Sequence, residues 1–135
     1  MKISVKDMQF EDFQQVVSEN LIRNKSLLDV LSKLNIFFAK SNRAVTKAIT
    51  SCGCMQIHAS KQNLDGETEY SSLTQQTQTH LEGELCENCK SIIEHELGET
   101  MFFMAALCET LGLSLYDIIL NEKKTLETLG KFNLK

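Results

Sequence analysis

The sequence predicts an all-α protein: an antiparallel bundle of four to five helices forming a single domain over 1–135, with a four-cysteine zinc knuckle joining two of the helices. Three observations point there. The 135 residues contain no proline, where the usual frequency of about 5% would supply roughly seven. All-β sandwiches and barrels lean on Gly- and Pro-rich turns. Apolar residues recur at spacings of three and four through most of the chain, and Gly53, Gly112 and Gly130 stand where those periodic stretches stop.

The first helix is expected from about Asp7 to Ile22, with Phe10, Phe13, Val17 and Leu21 on one face. The second opens near Ser26, where Ser26-x-x-Asp29 resembles a capping box. Leu27, Leu31, Leu34, Phe38, Val45, Ala48 and Cys52 carry its pattern without a Gly or Pro breaker. From Met55 to Leu85 the pattern fails. Residues 55–62 fit either a helical turn or a short extended piece, and the Gln/Thr/Ser-rich stretch within 63–81 reads as a mobile loop. A third helix starts between Cys86 and Lys90 and carries Ile93, Leu97, Met101, Met104 and Leu111. Gly112 ends it, Ser114-x-x-Asp117 caps a fourth helix, and Gly130 closes that one.

Length suits one domain with a real core. Hydrophobic content of 42% and charged content of 24% fit a globular chain. The longest apolar run, Met101 to Cys108, is eight residues, so no membrane span is expected. The opening MKISVKDMQFEDF lacks the apolar core of a signal peptide. A net charge of −4 disfavours binding to nucleic-acid polymers but leaves nucleotides open. Five cysteines without a secretory signal point to a reducing, cytoplasmic setting, where clustered thiols more often hold metal than pair.

Cys52-Gly53-Cys54 and Cys86-Glu87-Asn88-Cys89 are the sharpest chemical feature. Two close pairs can converge on one tetrahedral Zn²⁺ as four thiolates, a closed and therefore structural site. Helical residues two apart point about 200° from each other. For Cys52 and Cys54 to share a metal, the second helix must end there, and Gly53 supplies the turn. A metal would then fasten helices two and three where the long connection leaves and returns, offsetting part of its closure entropy. Two reducible disulfides, or four thiols with no shared role, are the alternatives. His58 and His80 flank the cluster and could replace one thiolate, while Cys108, on an apolar stripe, reads as a small core residue.

Glu96 and Glu99 lie one turn apart on helix three, hard oxygen donors suited to Mg²⁺. Gly98 between them asks for a reason, such as close approach of a helix or ligand. The stretch EHELGETMFFMAALCETLGLSLYDIILNEKKTL, 33 of 135 residues, resembles the MazG-like all-α nucleoside triphosphate pyrophosphohydrolases. Their metal-binding helix carries Glu-Leu-Gly-Asp, an apolar-aromatic run and a Leu-Gly. The resemblance implies Mg²⁺ ligation by Glu96 and Glu99, the latter standing where the family usually has Asp. It also implies phosphate contacts from Asn121, Lys123 and Lys124. The family sets an earlier Glu-Glu-x-x-Glu helix against this one. With the cysteine pairs level, residues 96 and 99 face roughly 41–47, which is SNRAVTK and contains no acid; there Arg43 would meet phosphate directly.

Two functions follow as expectations. One is Mg²⁺-dependent cleavage of a nucleoside triphosphate to monophosphate and pyrophosphate. The other is a catalytically inactive, zinc-stapled interaction or regulatory module. Apolar surface along helix two and the Met101–Met104 run leads us to expect a homodimer or higher assembly.

Overall fold

The computed structural model describes residues 5–64, 69–133 and 135. It is mainly helical. In chain order the elements are α1 (Val5–Asn20), α2 (Leu27–Lys47), β1 (Met55–Ile57), α3 (Tyr70–Gln76), β2 (Leu81–Gly83), α4 (Glu87–Leu111) and α5 (Leu115–Leu129). The chain divides into two compact units, residues 1–41 with 95–135, and residues 42–94.

The first unit is built on apolar faces of α1, α2, α4 and α5. Val17 and Leu21, Val30, then Phe103, Ala105, Ala106 and Cys108, and finally Leu115 form its buried core. Phe37 of α2 stacks on Phe103 of α4, with centroids 5.6 Å apart and planes 11° from parallel. Three positions back on α4, Thr100 meets Ser41, four positions on from Phe37 along α2. Index rises on one helix as it falls on the other, so this pair runs antiparallel. Cys108 is buried here as expected, and burial pushes its thiol pKa up.

The turn between α4 and α5 follows its sequence signals. Gly112 adopts φ 69°, a left-handed conformation that costs glycine little. Ser114 Oγ accepts from the Asp117 N–H at 3.2 Å, capping α5. A link this short sets the turn, and Gln14 of α1 holds it from outside: its Nε2 donates to Leu113 O and to Glu109 Oε2, each at 2.9 Å. Its Oε1 accepts the Leu115 N–H at 2.8 Å.

The second unit departs from an all-α expectation by one small sheet. β1 and β2 pair antiparallel in the register Met55↔Gly83, Gln56↔Glu82, Ile57↔Leu81. His58 N–H donates to His80 O at 2.8 Å, one step beyond the ladder. This resolves residues 55–62 in favour of an extended piece. The polar connection is not featureless either: α3 lies within the stretch read as a loop, although 65–68 fall outside the described residues. Gln62 closes its base, accepting the Gln78 N–H at 3.0 Å and donating to Gln78 O at 2.6 Å. The unit's buried core is thin: Ala48, Met55, Cys89 and Ile93.

Candidate metal centre

The helix that carries Cys52 is unwound in stages. After Lys47 the hydrogen bonding widens, Ala48–Cys52 forming a π-helical turn. Gly53 then terminates it at φ 77°, its N–H donating to Ala48 O at 2.9 Å. The left-handed glycine reverses the chain, so Cys52 and Cys54 no longer diverge as they would in a continuous helix.

The other pair sits at a helix start. Cys86 precedes α4; its carbonyl accepts the Lys90 N–H at 2.9 Å and its sulfur accepts the Cys89 N–H at 3.4 Å. Cys86 is therefore the N-cap, with a sulfur in the place of the usual hydroxyl or carboxylate oxygen. That backbone N–H lowers its pKa to about 7, the direction expected for a thiolate at a helix N-terminus. Its neighbour moves the other way. Cys89, sharing its proton with the Cys86 sulfur and 92% removed from solvent by its own packing, is pushed up to about 12.

All four sulfurs lie within 4.8 Å of one another. Cys52 Sγ and Cys86 Sγ are 3.8 Å apart. Four sulfurs bound to Zn²⁺ at about 2.3 Å define a tetrahedron with edges of about 3.8 Å, so this edge matches the coordination polyhedron. A disulfide needs about 2.0 Å, and all five cysteines are free thiols. Exposure is graded across the cluster: Cys52 is exposed, Cys54 and Cys86 are half-buried, and Cys89 is buried. Neither histidine joins the sulfur group. His58 Nε2 lies 3.4 Å from Glu82 Oε2 on the hairpin surface, and His80 takes a positive φ of 59°.

One residue that the sequence reading passed over holds the geometry. Gly83, at φ 86°, lies against the knuckle, and a Cβ there would come within 2.5 Å of Cys54 O. Only glycine lets β2 pack this closely on the Cys54 backbone. Met55, paired with Gly83 and buried, carries that contact into the small core.

The carboxylates on α4 are placed differently. Glu96 is half-buried, and its Oε2 is buried without a hydrogen-bond partner among the described residues. Glu99, also half-buried, has Oε1 4.0 Å from His95 Nε2. Among the described residues neither belongs to a group of three or more His, Cys, Asp or Glu at metal-binding distance. Asn121, Lys123 and Lys124 are exposed on α5, where Lys123 pairs with Glu127 at 3.6 Å. No hydrogen bond or ion pair among the described residues joins these three to Glu96 or Glu99. Arg43 is exposed on α2.

No family model matches this chain, and neither a curated protein nor a solved structure is found to be similar to it.

Proposed function

We propose that the protein is a zinc-stapled helical module whose metal is structural and whose biological role is binding. The carrying observation is the convergence of four cysteine sulfurs, from a helix end and a helix start 34 residues apart, within 4.8 Å. Four thiolates fill a tetrahedral ion and leave no position for water or substrate, so the site supports folding and does no hydrolysis. The thin core of residues 42–94 fits that role. A unit with four buried core residues among those described gains little from burial and much from a metal bound only in the folded state. Elemental analysis of reduced, unchelated protein tests this: about one zinc per chain is expected, and its absence refutes the metal reading.

A second reading rests on Glu96. A half-buried carboxylate with one unpartnered buried oxygen, one turn from Glu99, supports a divalent-cation site on α4. With the MazG-like resemblance, it supports nucleotide binding through Mg²⁺, with Asn121, Lys123 and Lys124 as the available cations and donors. Mg²⁺-dependent pyrophosphate release from a nucleoside triphosphate, lost in Glu96→Gln, would establish an enzyme. Nucleotide-induced thermal stabilisation without turnover would instead fit a binding module. Neither effect would leave only the structural module.

Self-association belongs to both readings. Leu97, Met101 and Met104 form one stripe of α4, each close to half exposed, and Met101 shares an apolar groove with Phe10 and Phe13. Sedimentation equilibrium showing a monomer at micromolar concentration would remove a homodimer from the proposal.

A further inference from the structure

The same four sulfurs offer chemistry that a structural metal site does not require. Cys52 is exposed, whereas Cys89 is buried. The sulfur placed to receive it is Cys86, 3.8 Å away. Closing that gap to a bond of about 2.0 Å takes under 2 Å of movement. The backbone beside Cys52 can supply it: among the described residues, apart from its chain neighbours, nothing lies within 4 Å of where a Gly53 Cβ would be, and the preceding turn is π-helical.

We infer that Cys52 and Cys86 are a peroxide-sensitive modification site, oxidised to a disulfide that expels the metal. This inference rests on the zinc reading for its metal-release half and on sulfur geometry alone for its disulfide half. Metal binding would hold all four cysteines as thiolates, and the exposed one, Cys52, attacks one oxygen of hydrogen peroxide; the O–O bond breaks, giving Cys52 sulfenic acid and hydroxide. The Cys86 thiolate then attacks the Cys52 sulfur, forming the S–S bond and releasing a second hydroxide. Two thiolates lose two electrons and one peroxide gains them. The two thiolates left, Cys54 and Cys89, form half a tetrahedral site, and zinc leaves. A dithiol reductant reverses the change. The new bond spans the same connection that the metal clipped, so the knuckle stays closed while its ion departs.

The test uses the full reduced chain, with zinc content measured first. Hydrogen peroxide is added beside a chromophoric zinc chelator, and the product is digested with trypsin without reduction. Cleavage after Lys47, Lys61 and Lys90 puts Cys52 and Cys54 on one peptide and Cys86 and Cys89 on another, and fragmentation of the linked pair assigns the bonded sulfurs. The expected result is zinc release in step with a cross-link between these peptides. Cys52→Ser, which also removes a metal ligand, is judged by the cross-link and should lose the Cys52–Cys86 link. A link confined to the Cys86–Cys89 peptide, or an undiminished link between the two peptides in Cys52→Ser, overturns the inference. A chain that carries no zinc overturns the metal reading instead, and fragmentation of the cross-linked peptides from the oxidised metal-free chain then decides the cysteine pair.

Discussion

Ser41 and Thr100 meet through their hydroxyls, 3.3 Å apart, at a buried position between α2 and α4. Each is also bonded to its own helix: Ser41 Oγ donates to Phe37 O and Thr100 Oγ1 to Glu96 O, both at 2.9 Å. The contact therefore adds little hydrogen-bond energy, since each hydroxyl proton already has an acceptor. What it marks is close approach of the two helices, with small side chains on the seam. Thr100→Val, nearly isosteric, should cost less than about 1.5 kcal/mol. Ser41→Leu should cost about 1–3 kcal/mol by overpacking a residue only 6% exposed. Urea unfolding of both variants checks this, and the reverse order would show that the hydroxyl pair, not space, matters.

Gly98 sits inside a 25-residue helix between Glu96 and Glu99, where the sequence suggested close approach of another group. Apart from its own helix backbone and chain neighbours, no atom of the described residues lies within 4 Å of where its Cβ would be. Its flexibility is thus a cost without a packing return. Gly98→Ala should stabilise the chain by up to about 1 kcal/mol, raising Tm by roughly 4 °C. A loss of stability would mean that something absent from this structure occupies that face.

Metal removal should act unevenly. The core around Val17, Val30 and Phe103 includes none of the four clustered cysteines, its one cysteine being Cys108. The core of Ala48, Met55, Cys89 and Ile93 includes one of them and adjoins Cys54 and Cys86. After chelation, hydrogen exchange should accelerate at Gly53, Met55 and Ile57 while amides at Phe103–Ala106 keep their protection. Uniform loss across both sets would show that the metal supports the whole chain.

Cys86 sets the pH behaviour of the metal-free chain. Its pKa lies at about 7, below the ordinary 9.0, because the Cys89 N–H stabilises the thiolate. The thiolate therefore persists down to about pH 7 and is lost below it. Alkylation by iodoacetamide should fall first on Cys86, its rate rising through pH 7 rather than pH 9. Cys89, pushed up to about 12, stays a thiol until a metal displaces its proton. Zinc binding near neutral pH should thus release protons and weaken as pH falls. Mass-spectrometric mapping of the first alkylated residue decides the order.

The parts of this molecule that the sequence could announce are those coded locally. A stripe such as Ile93, Leu97, Met101, Met104 and Leu111 runs for about five turns, and Gly53, Gly112 and Gly130 all take positive φ at helix ends. Cysteine spacing carried the metal group for the same reason. The hairpin could not be read, because β1 and β2 have three residues each, too few for a period of two to show. α3, as YSSLTQQ, has almost no apolar residue to repeat. Gly83 looked like any loop glycine; its necessity comes from a carbonyl 29 positions earlier.

Gln14 is the clearest case of a role set by distant chain. It lies on α1 among polar neighbours and, through three hydrogen bonds, holds residues 95–101 positions away. Leu115 supplies the first N–H of α5, one of the four that a helix cannot satisfy itself, and the residue is only 6% exposed. Gln14→Ala strips that N–H of its acceptor and should cost about 1–3 kcal/mol. Gln14→Glu is the sharper test. A carboxylate still accepts from Leu115 but has no proton to give, and it would face the Glu109 carboxylate and the Leu113 carbonyl now 2.9 Å from Nε2. Like charge at that distance raises the pKa of the new carboxyl group. Gln14→Glu should therefore be destabilised at pH 7 and recover partly near pH 4, as protonation restores a donor. Equal destabilisation of Gln14→Glu at both pH values would show that the donor half of the Gln14 amide contributes nothing to holding the turn.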